Sequence, residues 1–386
     1  MYTICLIGPF PPPMNGNSKA LDTLVNSEIF NNTFKCYKLN LSNGKGGAGL
    51  SGRFSMEKVR RIISVANRIR KLKKERIDCF YLTTAQSSWG ILRDYTIVQS
   101  IKKTNPEAKI IAHLHGGGFR DFYNKSPNVI KRIVEKTYIN FDKVIVLSES
   151  LINMFEGIYP KEKISVRYNC VDDEFLFDKN DINSKNMKST GINVTYLSNM
   201  IESKGYNYLF EVATRLRNEY PSIHFFFAGN FSNEKMKKSF VKAIDEDCVK
   251  DTVHYLGIVS GERKKKLLAE TDIFVLPTRY PPEGQPISII EAMGAGAVII
   301  TTDQGGIPDI VKTGINGFII KNNYVNEIIS KILILAADDK LRREISFRNH
   351  NYVLQKFTES HYVNGVIKEI QSVMASLTTN SNVFKN

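Results

Sequence analysis

Short apolar runs alternate with longer helical stretches along the chain. In the first half, runs rich in β-branched and aromatic residues occupy 3–8, 79–84, 109–116 and 143–149. In the second half, similar runs occupy 192–199, 224–229, 253–257, 273–278 and 297–302. Strands that alternate with helices are typical of βαβ units around parallel sheets. The sequence therefore predicts an α/β protein with two doubly wound domains.

A polar segment, DKNDINSKNMKSTG at 178–191, separates the two sets of runs. It contains few apolar and many turn-forming residues, as linkers do. Helical periodicity near the end of the chain predicts a C-terminal helix that can return to the first domain. The predicted parts are a first domain, a linker, a second domain and this helix with a frayed tail, at 1–178, 179–191, 192–360 and 361–386.

Length and composition agree with two globular domains. The chain has 386 residues, of which 42% are hydrophobic and 24% are charged, and domains average about 150 residues. No run approaches the roughly 18 consecutive apolar residues of a membrane-spanning helix, and the start lacks the pattern of a signal peptide. Five scattered cysteines with no C-x-x-C spacing favour neither a disulfide framework nor a zinc site. We therefore expect a cytoplasmic protein.

The most specific segment follows the run at 273–278. It reads PTRYPPEGQPISIIEAMGAGAVIITTDQGGIPDIV and contains Glu283 and Glu291, with seven residues between them. Ligands of open α/β sheets bind beyond the carboxyl ends of the strands, where this loop places Glu283. A helix that begins near Pro286 or Ile287 directs free backbone N–H groups to the same space, which suits a phosphate. Glu291 then lies about one turn into the helix, where it can accept hydrogen bonds from ribose hydroxyls.

In this segment the chain resembles the family 4 glycosyltransferases, which are retaining enzymes with the glycosyltransferase-B (GT-B) fold and an E-x7-E motif. The likeness extends through GAGAVIITTDQGGIPDIV to GINGFII at 314–320. Two glutamates at this spacing often occur by chance, but the surrounding EG-x6-EAM-x-G pattern is far more specific. The resemblance implies two Rossmann-like domains that face each other across a cleft. The nucleotide-sugar donor would bind the second domain and the acceptor the first.

The resemblance assigns further residues to the donor site. Lys204, in the turn of LSNMIESKGYNYLF, would bind the diphosphate and stabilise the charge that develops as it departs; a solvated lysine is the alternative. The family usually has an arginine about five residues earlier, where Asn199 stands here, and Arg279 is a candidate replacement. Base recognition is expected near Gly257 and Ile258. The other expected donor contacts are Glu283 with the sugar, Glu291 with the ribose, and Gly284, Gln285, Pro286 and Ile287 with the diphosphate.

Two segments of the first domain are further candidates. The first is GPFPPPMNGNSKALDTL, which is neither a Walker nor a dinucleotide-binding loop. Gly16 and Asn17 lie in it where backbone N–H groups can approach a phosphate or a sugar. A simple turn is the alternative. The resemblance suggests that His115, in KIIAHLHGGGFR, contacts the transferred sugar, with His113 on the opposite side of the strand. A structural histidine is the alternative. No cluster of metal ligands surrounds them in sequence, so we expect no metal and no cofactor besides the substrate.

The net charge of +14 is concentrated in the first half, where 28 Lys and Arg face 17 Asp and Glu in residues 1–180. Much of it lies in a predicted basic amphipathic helix at 51–76. Apolar residues recur at helical spacing on one side, at Val59, Ile62, Ile63, Ala66 and Ile69. An ordinary solvated face is one interpretation, and docking to anionic lipid is the other. The candidate membrane-facing residues are Arg60, Arg61, Arg68, Lys71 and Lys74.

These observations lead to one expected function and two alternatives. We expect a retaining glycosyltransferase that moves a hexose from a UDP- or GDP-sugar to a lipid-linked saccharide in cell-surface polysaccharide biosynthesis, at the inner face of the plasma membrane. The donor base, the sugar and the acceptor stay open. A nucleotide-sugar epimerase of the same architecture would turn over the donor without an acceptor. The basic charge also suggests a nucleic-acid-binding protein, but stacking and helix-turn-helix patterns are lacking, so no nucleic acid partner is expected.

Overall fold

The computed structural model describes residues 1–12, 16–42, 56–187, 191–246 and 249–383. These residues divide into two compact units. The first comprises Met1–Asn169 and Ser360–Asn386, and the second comprises Cys170–Glu359. Each unit contains a six-stranded sheet in its described part, so the predicted α/β class is confirmed.

The first sheet is parallel throughout. Its strands are β1 (Tyr2–Gly8), β2 (Phe34–Asn40), β3 (Cys79–Thr83), β4 (Lys109–Leu114), β5 (Lys143–Val146) and β6 (Ile164–Val166). They are ordered β2-β1-β3-β4-β5-β6. All five residues of β3 are buried, which explains its continuous apolar sequence, because strands of such sheets are covered on both faces.

The second sheet is also parallel. Its strands are β7 (Ile192–Leu197), β8 (Ile223–Ala228), β9 (Val253–Gly257), β10 (Ile273–Leu276), β11 (Val298–Thr301) and β12 (Gly317–Ile319). Their order is β12-β11-β10-β7-β8-β9. The chain winds outward in one direction from β7 and in the other from β10, so the order reverses between these neighbours. Ligands of open α/β sheets bind at such a reversal, beyond the carboxyl ends of the strands.

Helices complete both units. In the first unit they are α1 (Gly16–Asn26), α2 (Glu28–Thr33), α3 (Met56–Lys71), α4 (Ser88–Thr104), α5 (Phe119–Lys125) and α6 (Asn128–Tyr138). In the second they are α7 (Lys179–Met187), α8 (Tyr206–Leu216), α9 (Glu234–Glu246), α10 (Gly261–Glu270), α11 (Ile287–Gly294), α12 (Ile307–Ile310), α13 (Tyr324–Ala337) and α14 (Asp339–Lys356). The last helix is α15 (Glu359–Val383). None of the helices within the described ranges is long and apolar enough to cross a membrane.

All nine predicted strands are present, and the described part of the chain contains three further strands that were not predicted. β6 and β12 are only three residues long, too short to leave a clear apolar pattern. In β2, the exposed Lys35 and Lys38 interrupt the apolar run. Edge strands of this kind need less apolar sequence than the central strands, which explains why composition alone did not reveal them.

The predicted linker is largely helical, which corrects that interpretation. Helix α7 occupies most of it, Ile182 is buried, and the Lys185 ammonium donates a hydrogen bond to the carbonyl oxygen of Ala295 at 2.7 Å. The second unit accordingly begins at Cys170, earlier than predicted. A polar helix in which Ile182 is the one buried residue among the side chains described has the composition of a linker, although it packs as part of the domain.

The C-terminal helix α15 packs in the first unit. The Glu369 carboxylate accepts hydrogen bonds from the Lys143 ammonium at 2.7 Å and from the Arg167 guanidinium. Lys143 begins β5, and Arg167 directly follows β6, so this one carboxylate joins the helix to the sheet. The helix continues to Val383, into the stretch predicted to be frayed, and residues 384–386 lie outside the described part.

Candidate donor site

A buried ion pair lies at the reversal of the second sheet. Lys204 ends a short 3-10 turn after β7, and Glu283 lies in the loop after the neighbouring strand β10. The Lys204 Nζ and the Glu283 Oε2 are 2.5 Å apart, and both residues are less than a tenth exposed. The structure therefore brings together the lysine predicted for phosphate and the glutamate predicted for the sugar.

The backbone around Lys204 holds its ammonium in place. Gly205, the next residue, has φ +82°, a conformation that favours glycine. A Cβ atom at Gly205 would lie 2.4 Å from the carbonyl oxygen of Pro277, so the loops after β7 and β10 could not approach as closely. The Lys204 Nζ also lies 4.9 Å from the centre of the Tyr280 ring, a favourable cation–π distance.

Two buried threonines support the Glu283 loop, and sequence reasoning missed both. The Thr278 hydroxyl donates to the Glu283 Oε2 at 3.0 Å, and the Thr302 hydroxyl donates to the Thr278 carbonyl oxygen at 2.5 Å. Gly305 has φ +59°, and a Cβ there would lie 2.1 Å from the Glu283 carbonyl oxygen. The loops after β10 and β11 are therefore locked together beneath the carboxylate.

The second glutamate of the motif belongs to another ion pair. Helix α11 begins at Ile287, as predicted, and Glu291 lies about one turn into it. The Lys264 Nζ lies 2.6 Å from the Glu291 Oε1. Sequence reasoning missed Lys264, because it stands in the basic run RKKK and no local pattern distinguishes it from its neighbours.

The connection from Glu283 to α11 is buried. Gly284, Gln285 and Pro286 are buried, and Ile287 is half-buried. Pro286 occupies the N-cap position of α11, so the first backbone N–H groups of the helix follow directly on this turn. The placement agrees with the predicted contacts to a diphosphate, which stay a prediction.

The remaining donor candidates lie on neighbouring loops. Gly257 ends β9 with φ +66°, and Ile258 is 66% exposed. Asn199 is exposed, and its carbonyl oxygen accepts a hydrogen bond from the Tyr196 hydroxyl. Arg279 is exposed, and its backbone N–H donates to the carbonyl oxygen of Ser203 at 2.6 Å. Arg279 therefore lies beside the turn that carries Lys204, and its replacement of the family's arginine stays a prediction.

Helix α1 begins at Gly16, so the predicted helix start after the proline-rich loop is present. A Cβ atom at Gly16 would meet nothing within 4 Å, and Gly16 is exposed, whereas Asn17 is half-buried. Residues 13–15, which precede them, lie outside the described residues. A contact of this helix start with phosphate or sugar stays a prediction.

His113, within β4, and His115, just after its end, lie on the same side of the strand, which corrects the expectation of opposite sides. The His113 and His115 ring centres are 3.9 Å apart, because alternate residues of a strand share a face. The His113 Nδ1 lies 2.5 Å from the Tyr81 hydroxyl. Among the described residues, neither ring nitrogen of His115 has a hydrogen-bond partner. No group of three or more His, Cys, Asp and Glu in those same residues could hold a metal ion.

Burial keeps both histidines neutral. Loss of solvation lowers the pKa of His115 to about 4, and burial together with the neighbouring His115 holds the pKa of His113 well below its usual value. A neutral imidazole can both donate and accept a hydrogen bond. His115 is therefore suited to a sugar hydroxyl, although its contact with the transferred sugar stays a prediction.

The basic helix is present as α3, although residues 51–55 of the predicted stretch lie outside the described residues. Arg60 and Lys71 are exposed, and Lys74 is exposed in the turn that follows. Arg68 is also exposed, and its guanidinium donates to the carbonyl oxygen of Asn40 at 3.0 Å, which ties it to the end of β2. The side chain of Arg61 is not among those described.

The buried side of α3 differs from the predicted apolar side. Ala66 and Ile69 are buried, but Ile63 is 55% exposed, and Val65 is buried in its place. The helix is rotated relative to the predicted stripe, because Val65, Ala66 and Ile69 together form the packed face. Ile63 therefore lies on the same outer side as the exposed basic residues.

The family model that matches this chain lies within the second unit. Residues 177–351 match the family described as glycosyl transferases group 1. The lipopolysaccharide 1,2-N-acetylglucosaminetransferase of Salmonella typhimurium is 22% identical over 72% of this chain and 71% of its own length. The poly(ribitol-phosphate) alpha-N-acetylglucosaminyltransferase of Staphylococcus aureus is 28% identical over 43% of this chain. The matched stretches span 61%, 33% and 46% of three curated glycosyltransferase relatives.

A solved structure shares the whole fold. HepE of Anabaena, solved in complex with UDP-glucose, superposes with a TM-score of 0.73 at 15% identity, over 96% of this chain and 100% of that one. The fold is thus that of the GT-B glycosyltransferases. In its second unit, the chain is similar to the glycosyl transferases group 1. Membership of family 4 within that group stays a prediction.

Proposed function

We propose that the protein is a retaining glycosyltransferase that uses a hexose linked to UDP or GDP. The observation that carries the proposal is the buried Lys204–Glu283 pair at the reversal of the second sheet. Lys204 and the backbone N–H groups at the start of α11 would bind the diphosphate. Glu283 would bind hydroxyls of the sugar, and Glu291 would bind the ribose. No cofactor besides the donor is part of the proposal.

The charges of Lys204 and Glu283 suit the binding of a diphosphate and a sugar. A buried ammonium and a buried carboxylate stabilise each other while the site is empty. An ammonium has three N–H donors, so a lysine that donates one of them to a carboxylate retains others for phosphate oxygens. Fixed donors aimed at developing charge stabilise a transition state more than water does, because they need no reorganisation.

The proposed reaction is a substitution at the anomeric carbon with retention. The bond from that carbon to the diphosphate breaks, and its electron pair leaves with the diphosphate. The acceptor hydroxyl oxygen bonds to the same face of the carbon, and its proton passes to an oxygen of the departing diphosphate. Lys204 stabilises the negative charge on this leaving group.

We further propose a role in cell-surface polysaccharide biosynthesis with a lipid-linked saccharide as the acceptor. Two relatives support the setting, because their names refer to lipopolysaccharide and to poly(ribitol phosphate). The proposal of a lipid-linked acceptor rests on the family resemblance and on the basic surface of the first unit. A soluble acceptor is the competing case.

A product assay tests the reaction against the epimerase alternative. UDP- and GDP-hexoses are incubated with and without isoprenoid-diphosphate-linked saccharides, and proton NMR follows the products. We expect release of nucleoside diphosphate only with acceptor, and a product that keeps the anomeric configuration of the donor. Conversion of a donor to its epimer without acceptor would show the alternative instead, and inversion would reject the retaining mechanism.

We propose the outer side of α3 as a docking surface for anionic lipid. Arg60, Lys71 and Lys74 supply charge there, and Ile63 and Met56 are exposed apolar residues beside them. Basic residues near an anionic bilayer contribute about 1 kcal/mol each, and exposed apolar side chains can enter the interface. The surface would hold the enzyme close to a lipid-linked acceptor.

Vesicle flotation tests this surface. Replacing Arg60, Lys71 and Lys74 by glutamine should weaken binding to phosphatidylglycerol-containing vesicles about 100-fold, since about 3 kcal/mol is lost. The matched control removes three exposed lysines of α9 in the second unit, Lys235, Lys238 and Lys242. Equal losses in both triple variants, or equal binding of the native protein to neutral vesicles, would reject the proposed surface.

A further inference from the structure

Lys264 and Glu291 form a short and largely buried ion pair. The Lys264 Nζ lies 2.6 Å from the Glu291 Oε1, and the side chains are only 18% and 5% exposed. At this distance the ammonium donates a charge-assisted hydrogen bond, which is stronger than a bond between neutral groups. A carboxylate buried to this degree is costly without a cation beside it. Lys264 therefore restrains the orientation of the Glu291 carboxylate.

An aromatic ring fixes the lysine from a second direction. The Lys264 Nζ lies 4.3 Å from the centre of the Phe175 ring, within the range of a favourable cation–π contact. A lysine side chain normally loses much conformational freedom when it is fixed. Because Phe175 and Glu291 both bind the same ammonium, that cost is met when the chain folds and not when a ligand binds.

The position of Lys264 connects two parts of the candidate donor site. Helix α10 begins at Gly261, directly after the loop with Gly257 and Ile258 that is expected to recognise the base. Lys264 lies one turn into α10, and Glu291 lies about one turn into α11. The ion pair thus joins the first turns of the two helices that follow the expected base and diphosphate segments.

We propose that Lys264 is a positioning residue for ribose recognition, which holds the Glu291 carboxylate so that it accepts hydrogen bonds from the ribose hydroxyls of the donor. The inference rests on the proposed function. A carboxylate has more acceptor positions than one ammonium uses, so the ion pair and ribose binding are compatible. Without Lys264, the Glu291 carboxylate loses the charged hydrogen bond that fixes its orientation, and the preference for a ribose falls.

Calorimetric titration with UDP and GDP and with their 2′,3′-dideoxy counterparts tests the proposal. The native protein should bind the ribose form of its nucleotide at least about tenfold more tightly, as expected for hydrogen bonds to a charged group. Lys264→Met should reduce this ratio to about twofold or less, with little change in affinity for the dideoxy form. Lys264→Arg keeps the cation and should restore most of the ratio.

Lys266→Met is the matched control, because Lys266 lies on the same helix with a side chain that is 75% exposed, and it should retain the native ratio. If Lys264→Met does not fold, Lys264→Gln takes its place, since it retains a donor but not the charge. A native ratio in a folded Lys264 variant overturns the inference while the proposed function stands. Failure of the native protein to bind either nucleotide overturns the proposed function, and this inference with it.

Discussion

Replacement of Lys204 by alanine should lower kcat about 100-fold, because removal of one fixed donor to developing charge typically has an effect of this size. The variant loses the ammonium that faces Glu283 at 2.5 Å. Binding of the donor should weaken much less than turnover, since charge on the diphosphate increases as the bond to the sugar breaks. Steady-state kinetics with the donor identified by the product assay measures both effects.

Two controls separate catalysis from folding in this experiment. Lys204→Ala leaves a buried carboxylate without its cation, which destabilises the fold. The double variant Lys204→Ala/Glu283→Gln removes that charge and should recover thermal stability, but not turnover. Lys321→Ala, at an exposed lysine of the same unit, should behave as the native protein. Turnover within about threefold of native in a folded Lys204→Ala protein would remove Lys204 from the proposed role.

Replacement of Glu369 by alanine should destabilise the first unit by about 3 kcal/mol, the lower end of the range for breaking a buried ion pair. The change leaves Lys143 and Arg167 without their shared carboxylate, and both cations are only partly exposed, at 20% and 31%. It also removes a polar contact between α15 and the first sheet. Urea unfolding measures the free energy, and the single tryptophan, Trp89, reports on this unit because it lies in α4.

The controls for Glu369 use the same fluorescence signal. Glu156→Ala removes an exposed carboxylate of the first unit and should change the free energy of unfolding by less than about 0.5 kcal/mol. Glu369→Gln retains hydrogen-bonding capacity and should fall between native and alanine. A Glu369→Ala protein as stable as the Glu156→Ala control would show that this carboxylate does not stabilise the attachment of α15.

The strands that are buried along their whole length could be predicted from the sequence. Strand β10 is an unbroken apolar run because both faces of its sheet are covered, and such runs are readable without structure. Strand β2 carries exposed lysines, and α7 buries one isoleucine among polar residues, so neither has a distinctive composition. Tertiary packing, and not local preference, determines these elements.

Some residues of the candidate site could likewise be predicted from the sequence, and others could not. Glu283 and Glu291 could be found because a dense local motif surrounds them, and Lys204 because its turn follows a predicted strand. Lys264 could not, since it lies 27 residues before its partner Glu291 and nothing in the sequence links them. The shared face of His113 and His115 was available from strand alternation, and the expectation of opposite sides neglected it.

Titration of a nucleoside diphosphate into the native and Lys204→Ala proteins tests the central claim most directly. UDP and GDP are compared with uridine and guanosine, so that the contribution of the diphosphate is isolated. The account predicts that one diphosphate binds the native protein at least about tenfold more tightly than its nucleoside, and that this difference shrinks severalfold in Lys204→Ala. A nucleoside that binds as tightly as its diphosphate, or a difference unchanged by the substitution, would contradict it.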